Sequence, residues 1–467
     1  MMRNEEKNPG LIYKILRLIT VIRPGEGLTV FLLLFNIFLI MGAYSILKPV
    51  RKGLILTRYE ASQEAYLYAA VAILLIFVVK LFSYLSSKVP RQILIISVTS
   101  FFISNLVLFY ILGILDTPIK ILGVVFWIWL SIFGVFVVAQ FWGFSNDIYT
   151  EQAGKRLFPI IMFGQSLGAY LGAKVTRKLV LPEGPLSVYQ LMLLGGAILI
   201  ISIILTFVIH KREIKRIRNK VSTHVSENED VEKTEEKPLQ KGGGFRLILK
   251  SRYLIFVAFM ILMLNYVNTT GEFIRSDVWK QSANEARLAG EIEDSEEATV
   301  RYLTKTESGF NEIVNLVGML IQLFLVSRIF KWFGVRGAVL FLPFIALGGY
   351  FLIGLGASFA VVRLTKTLEN STDYSLMNTT KGALFLITSR EAKYKAKAAI
   401  DTFFVRTGDV LVALTVFIGT TYLTLSNENF ARINVVAAII WIILCFITIK
   451  EHKRLSAKKI NYGGEQG

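Results

Sequence analysis

The sequence is poor in the residues that build cross-links, metal sites and catalytic sets. Its 467 residues include one cysteine, Cys445, and three histidines, His210, His224 and His452. One cysteine cannot form an internal disulfide, and no histidine has a cysteine or a carboxylate pair at metal-ligand spacing. No Ser-His-Asp or Cys-His set can be assembled, and the phosphate-binding pattern Gly-x-x-x-x-Gly-Lys-Ser/Thr is absent. We therefore expect no metal, no cofactor and no enzymatic activity.

Charged residues are also scarce, at 18% of the chain, whereas 54% of the residues are hydrophobic. Apolar runs of about 20 residues recur, and each is long enough to cross the hydrocarbon core of a bilayer. The runs are continuous rather than alternating, which favours helices over barrel strands. We predict an all-α, polytopic membrane protein with about twelve spans. They lie near 28–50, 65–86, 92–114, 119–142, 157–178, 188–210, 252–273, 309–330, 337–355, 357–379, 397–424 and 432–450.

Lysine and arginine are concentrated on one side of the predicted spans. Basic clusters follow alternate spans, as in KREIKRIRNK at 211–220 and SREAKYKAK at 389–397. Because cytoplasmic loops carry an excess of Lys and Arg, we predict that both termini are cytoplasmic and that the protein lies in the cell (inner) membrane. The net charge of +18 follows mostly from this bias. It indicates attraction to the lipid bilayer and not binding to nucleic acid.

One polar segment, 211–251, divides the chain. It begins basic, becomes acidic and contains a Gly-Gly-Gly run, so most of it cannot bury enough apolar surface to order itself. We predict a cytoplasmic linker between two six-helix halves, 1–210 and 252–467. This layout is typical of major-facilitator-type transporters. A second polar insert, 274–308, carries Ala and Glu at helical density and predicts a short extracellular helix.

Three cations occur at the end of the first span, in the stretch SILKPVRKGLIL. Lys48, Arg51 and Lys52 are spaced i, i+3, i+4 and would share one helix face. If the helix ends near Pro49, these side chains reach the lipid headgroups. If the helix continues, the same face turned inward forms an anion site. We favour the anion site, because cations on the outer side run against the orientation bias.

Two further stretches place carboxylates and amides at the ends of spans. FWGFSNDIYTEQAGKRLFP ends the fourth span with Asn146 and Asp147, and NYVNTTGEFIRSD ends the seventh with Asn268 and Glu272. Asp147 either pairs with a nearby base or acts as a gate for the substrate. Glu272 either pairs with Arg275 on its own helix or reads substrate hydroxyls or carries a proton. Intramembrane carboxylates are costly, which favours functional roles.

The tenth predicted span, within VVRLTKTLENSTDYSLMNTTKGALF, is the least hydrophobic. Arg363, Lys366 and Asn370 are spaced i, i+3, i+7 and line one face, and Asp373 and Lys381 follow. Lipid cannot accommodate all of these groups, so this helix is expected to line a polar cavity. Excess cations, few carboxylates and nearby aromatic rings suit a multivalent anion that carries a flat ring.

Two stretches resemble segments of one transporter family. FWGFSNDIYTEQAGKRLFP and STDYSLMNTTKGALFLITSREAKYKAKAAIDTFF (371–404) resemble the ATP/ADP translocase family of intracellular bacteria and plastids, also called the nucleotide transporter family. The resemblance extends in span order over most of residues 28–450. It implies a helical membrane transporter that exchanges adenine nucleotides one for one without hydrolysing them.

The resemblance also implies roles for individual residues. The family's first-helix lysine falls at or beside Arg51, its carboxylate after the fourth span on Asp147, and its tenth-span lysine on Lys381. Its seventh-span carboxylate falls on Asn268 or, one turn further, on Glu272. The chain departs from the family in KPVRKG, which has no acid between its bases.

The sequence thus predicts a secondary transporter, a monomer, that exchanges nucleotides, ATP for ADP, by alternating access. The expected partner is a small anion, a nucleotide. One alternative is a proton-coupled or exchange transporter of another organic or phosphorylated anion. The other is a membrane sensor or scaffold that transports nothing.

Overall fold

The computed structural model describes residues 26–89, 91–115, 118–149, 151–180, 184–223, 243–389 and 391–463. Every regular element in these ranges is helical, which confirms the predicted all-α fold.

Six long helices form the part of the first half that the structure describes. They are α1 (Gly27–Arg58), α2 (Ala61–Lys88), α3 (Arg91–Ile114), α4 (Ile119–Ile148), α5 (Glu151–Leu179) and α6 (Gln190–Thr223). α1 continues through Pro49, so the stretch with the three cations is helical throughout. α6 continues into the segment predicted as linker, and most of the remainder of that segment lies outside the described residues.

The second half contains helices of widely different length and several irregular turns. Its α-helices are α7 (Gly244–Lys250), α8 (Arg252–Leu288), α9 (Glu296–Leu320), α10 (Val326–Leu355), α11 (Phe359–Thr372), α12 (Asn378–Leu384), α13 (Lys397–Ala399), α14 (Val405–Thr421) and α15 (Asn427–Gly463). Wide π turns at Ile321–Leu325, Asp373–Met377, Ala392–Ala396 and Ile400–Phe404 and a narrow 3₁₀ turn at Phe385–Ile387 interrupt them.

The polar insert 274–308 does not form a separate helix. Its first part extends α8 to Leu288, and its last part begins α9 at Glu296. The turn between them contains Gly290 with φ 71°, a left-handed conformation that glycine adopts without strain. The Ser295 side chain then accepts a hydrogen bond from the Ala298 amide at 3.2 Å and caps the first turn of α9. The insert is therefore a continuation of two neighbouring helices.

Nine helical segments among the described residues are long and apolar enough to cross a membrane. One of them, Glu296–Leu355, includes two of the predicted spans. The backbone breaks inside it at Gly334, where φ is 64°. The more polar α5 and the interrupted α11–α12 segment account for the other predicted spans, so the arrangement fits roughly twelve crossings.

The chain divides into two compact units. The first comprises Met1–Leu54, Phe77–Thr234 and Thr304–Asn315, and the second comprises Ile55–Ile76, Glu235–Leu303 and Leu316–Gly467. The end of α1 and the first part of α2 therefore belong with the second unit. A central part of α9 belongs with the first.

In the first unit, glycines bring α5 close to α1. A Cβ atom added at Gly164 would lie 2.6 Å from the carbonyl oxygen of Leu34, and one at Gly168 would overlap the carbonyl oxygen of Phe38. Small residues at this spacing let helix backbones approach each other in lipid. In the second unit, α8 and α10 pack against α15, and Tyr350 of α10 is fully buried.

Candidate functional site

Arg51 and Lys52 are buried in the first unit, with exposed fractions of 7% and 3%. The Cζ atom of Arg51 lies 4.1 Å from the centre of the Trp127 ring on α4, and the Nζ atom of Lys52 lies 5.8 Å from it. Arg51 Nη1 also donates to Ser131 Oγ at 3.1 Å. α4 therefore presents an aromatic face and a hydroxyl to two buried cations. An aromatic face stabilises a desolvated cation by about 2 kcal/mol.

Lys48 lies one turn before Arg51 but contacts a different helix. Its ammonium donates to Asn311 Oδ1 at 3.3 Å. Asn311 in turn donates to the backbone oxygen and to Oε1 of Glu307, at 2.9 and 3.0 Å. The three predicted cations thus separate into a pair on Trp127 and a lysine on α9, all within the first unit. A side chain that reaches the lipid headgroups must be exposed. Arg51 and Lys52 are instead buried within the protein.

Asn146 and Asp147 are exposed at the end of α4. At 1.5 Å per residue, Asp147 lies about 24 Å along the helix from Ser131. The structure therefore does not bring these two residues together with Arg51. Arg156, one of the two bases that follow Asp147 within nine residues, donates to Glu26 Oε1 at 2.8 Å.

A second cluster of charged side chains joins α8 to α11 in the second unit. Lys366 is fully buried. Its Nζ lies 2.8 Å from Asn268 Oδ1, 3.2 Å from the Asn268 backbone oxygen and 2.9 Å from Glu369 Oε2. Glu272 Oε1 is 3.4 Å away. An ammonium has three N–H groups, and these acceptors occupy all of them.

Glu272 contacts residues on both helices. Arg275 Nη2 donates to its Oε2 at 2.5 Å, so the ion pair within α8 is present. Asn370 Nδ2 of α11 donates to its Oε1 at 3.0 Å. Arg275 is itself buried, and its Cζ lies 5.6 Å from the centre of the Trp279 ring.

This cluster is balanced in charge. Two carboxylates, Glu272 and Glu369, face two cations, Arg275 and Lys366, and the Tyr350 hydroxyl donates to Glu369 Oε2 at 2.6 Å. Buried ions are tolerated when they are paired and hydrogen-bonded in this way. Glu369 and Tyr350 are absent from the predicted site. The i, i+3 spacing from Lys366 is a local pattern that could have identified Glu369. Tyr350 lies on another helix and has no such signal.

The other predicted residues of this region lie along the same broken helix. Arg363 is partly buried, with its Cζ 6.0 Å from the centre of the Phe359 ring. Lys381 Nζ lies 3.6 Å from Asp373 Oδ1 across the π turn Asp373–Met377. π turns are frequent at functional sites because they redirect side chains within a helix.

Several solved transporter structures share this fold. A point mutant of the nucleoside transporter NupG superposes with a TM-score of 0.61 at 11% identity, covering 91% of this chain and 99% of that chain. A bacterial homologue of the human lysosomal transporter Spinster, inward-facing and unoccupied, gives 0.58 at 13% identity, covering 93% and 99%. A POT family transporter in complex with 5-aminolevulinic acid gives 0.59 at 12% identity, covering 91% and 96%.

These similarities confirm the major-facilitator-type fold predicted from the sequence. Comparison with curated proteins gives no match. Residues 119–456, more than half of the chain, match the TLC ATP/ADP transporter family. The matched residues include α4 with Trp127 and the cluster of charged side chains that joins α8 to α11. The chain is therefore a multi-pass membrane transporter that belongs to the TLC ATP/ADP transporter family.

Proposed function

We propose that this protein exchanges ATP for ADP across the cell (inner) membrane by alternating access, with both termini in the cytoplasm. Membership of the family supports nucleotides as the substrate class. The observation that carries the site assignment is the buried pair of cations, Arg51 and Lys52, beside the face of Trp127.

The cations would neutralise the phosphates. A guanidinium offers a planar fork of donors that matches phosphate oxygens, and an ammonium adds a compact charge. Arg51 and Lys52 would act together, with Lys48 one turn away on the same helix. Lys381 of the broken helix is a further candidate for neutralising phosphate. Because Lys381 lies 3.6 Å from Asp373, a phosphate group would compete with that carboxylate for the ammonium.

Exchange follows from the electrostatics of such a site. Attraction between opposite charges strengthens as water is excluded, so a nucleotide in the site offsets the cost of burying the cations. Without an anion the same cations resist movement through a low-dielectric region. The protein would then change conformation readily only when it carries a nucleotide, which couples outward to inward transport.

The remaining predicted residues would position or gate the substrate. Since the N–H groups of Lys366 are occupied, it would hold Asn268 and Glu369 in place instead of binding phosphate directly. Asn146 and Asp147, at the exposed end of α4, would form part of a gate. Arg363 and Glu272 would contact or orient the nucleotide.

Uptake into intact bacterial cells tests this proposal. Cells that express the protein receive labelled ATP or ADP, with and without a preloaded counter-substrate. We expect uptake of both nucleotides and stimulation by preloaded nucleotide, without hydrolysis. Absence of uptake of any nucleotide by correctly inserted protein would contradict the proposal. Uptake that needs a proton gradient and no counter-substrate would instead favour proton coupling, and binding without flux would favour a sensor.

A further inference from the structure

The amide group of Asn370 has a defined orientation. Asn370 is 3% exposed, and its Nδ2 lies 3.0 Å from Glu272 Oε1. Amide nitrogen and oxygen are assigned from their partners, and an ionised carboxylate can only accept hydrogen bonds. The nitrogen must therefore face Glu272, which directs the Oδ1 atom of Asn370 away from that carboxylate.

This Oδ1 atom is buried and accepts no hydrogen bond from the residues that the structure describes. One turn further along the same face, Asp373 Oδ1 is also buried and accepts no hydrogen bond from any described residue, although the Lys381 ammonium lies 3.6 Å away. A buried acceptor without a donor is energetically unfavourable. Two of them on adjacent turns indicate a place where a ligand supplies donors.

The donors that a nucleotide offers are few. Phosphates at neutral pH mainly accept hydrogen bonds, so the donors are the ribose hydroxyls and the N–H groups of the base. Adenine carries an exocyclic amino donor at position 6, whereas guanine and hypoxanthine carry a carbonyl acceptor there. A buried acceptor such as Asn370 Oδ1 would stabilise the amino group and repel the carbonyl. The ribose hydroxyls can rotate to donate or to accept, so an acceptor in the protein would distinguish them less strongly than it distinguishes the two base groups.

We propose that Asn370 Oδ1 accepts a hydrogen bond from the exocyclic amino group of the transported base and thereby selects 6-aminopurine over 6-oxopurine nucleotides. This inference rests on the proposed transport of nucleotides and names the residue that reads the base. Sites built to bond a substrate N–H reject analogues that lack it, because the protein's own acceptor is then left unpaired.

Competition between nucleotides tests the assignment. Uptake of labelled ATP is measured in the presence of unlabelled ATP, ITP or 2′-deoxyATP, for the wild type and for Asn370→Ala. We expect the wild type to prefer ATP over ITP by at least about tenfold, the value of one good hydrogen bond. The Asn370→Ala variant should lose most of this preference, while its ATP to deoxyATP ratio stays unchanged. Asn429→Ala, an asparagine that contacts Arg432 at the start of α15, is the matched control and should keep the wild-type ratios.

If Asn370→Ala impairs insertion into the membrane, two other substitutions at this position provide the test. Asn370→Ser retains a hydroxyl that can donate to Glu272 but has no amide oxygen, so it should also lose selectivity. Asn370→Asp retains an oxygen at the same position and can share a proton with Glu272, so it should keep more selectivity than serine does.

Three results would overturn the assignment. They are equal competition by ATP and ITP in the wild type, unchanged selectivity in transport-competent alanine or serine variants, and a change confined to the ATP to deoxyATP ratio. The last result would show that Asn370 contacts the ribose of the nucleotide and not its base. A wild type that takes up no nucleotide at all would contradict the proposed function itself, which distinguishes the two failures.

Discussion

Gly271 of α8 leaves space for the hydroxyl group of Tyr350, which lies beside it and donates to Glu369 Oε2 at 2.6 Å. A Cβ atom on residue 271 would overlap the Tyr350 oxygen and would lie 3.0 Å from Lys366 Nζ. The absence of a side chain at this position therefore permits the buried cluster to form. Glycine interrupts no regular geometry here, because α8 continues to Leu288.

Replacing Gly271 by alanine should disturb the cluster. Overpacking of a tight interior costs about 1–3 kcal/mol, and the shift of Tyr350 would also weaken its bond to Glu369. We expect a lower unfolding temperature of the purified protein and slower nucleotide uptake. Gly348→Ala is the matched control, since an added Cβ there meets no atom within 4 Å. Adding Tyr350→Phe to Gly271→Ala should restore part of the stability by removing the overlapping oxygen. A Gly271→Ala variant as stable as Gly348→Ala would contradict this account.

The charge balance of the cluster gives a second prediction. Lys366→Met leaves Glu272 and Glu369 facing Arg275 alone, and a buried ion that has lost its partner costs about 3–5 kcal/mol. The double variant Lys366→Met with Glu369→Gln is neutral again and should recover much of this loss. Thermal unfolding of the two single variants and the double variant measures the coupling between the residues.

The same variants separate a positioning role from phosphate binding. If Lys366 holds its neighbours in place, uptake should recover in part together with stability in the double variant. A stable double variant without any uptake would show that Lys366 is needed by the substrate itself. A double variant whose destabilisation equals the sum of the two single variants would show that Lys366 and Glu369 are not coupled.

A third prediction concerns Arg51. Arg51→Glu should abolish nucleotide uptake without preventing insertion, because it places a negative charge where phosphates would bind. Arg51→Lys keeps the charge but loses the planar contact with Trp127 and the guanidinium bond to Ser131, so nucleotide affinity should fall roughly 5- to 30-fold, or about 1–2 kcal/mol. Half-maximal uptake concentrations measure the effect. Arg287→Glu, at the exposed end of α8, is the charge-reversal control. Normal uptake by Arg51→Glu would show that the cation pair of Arg51 and Lys52 does not bind the phosphates.

Local spacing explains which parts of the site the sequence can predict. The helical face of Arg51 and Lys52 and the Glu272–Arg275 pair depend on residues within one turn, and periodicity identifies them. The Trp127 ring beside Arg51 lies on α4, and the Tyr350 hydroxyl that donates to Glu369 lies on α10. No pattern in the sequence connects Trp127 to Arg51 or Tyr350 to Glu369, since helix packing alone brings them together.

The fold follows a similar rule. Hydrophobic run length predicts the membrane helices, because a helix must span the bilayer and satisfy its own backbone hydrogen bonds. It does not predict how far a helix continues beyond the membrane. The insert 274–308 has helical composition, but composition does not distinguish a separate helix from the extension of α8 and α9. Capping by Ser295 and the left-handed Gly290 determine that boundary.

The contact between α1 and α5 gives the last prediction. Gly164, Gly168 and Gly172 of α5 are four residues apart, and the carbonyl oxygens of Leu34, Phe38 and Gly42 of α1 lie against them in the same order. Each glycine thus faces one turn of the α1 backbone. A backbone carbonyl cannot rotate away as a side chain can, so any added Cβ must separate the two helices.

Gly168→Ala should therefore destabilise the protein, whereas Gly196→Ala should not. The Cβ at residue 168 would overlap the Phe38 carbonyl oxygen, while the one at residue 196 would meet side-chain atoms of Leu106 at 3.8 and 3.9 Å, an ordinary contact distance. Alanine also favours a helix over glycine by about 1 kcal/mol, so the control variant should be as stable as the wild type or slightly more stable. Thermal unfolding in detergent compares the two. Because α1 carries Arg51 and Lys52, separation of the helices should also reduce nucleotide uptake by any Gly168→Ala protein that inserts. Equal stability of the two variants would show that the α1–α5 contact is not close-packed.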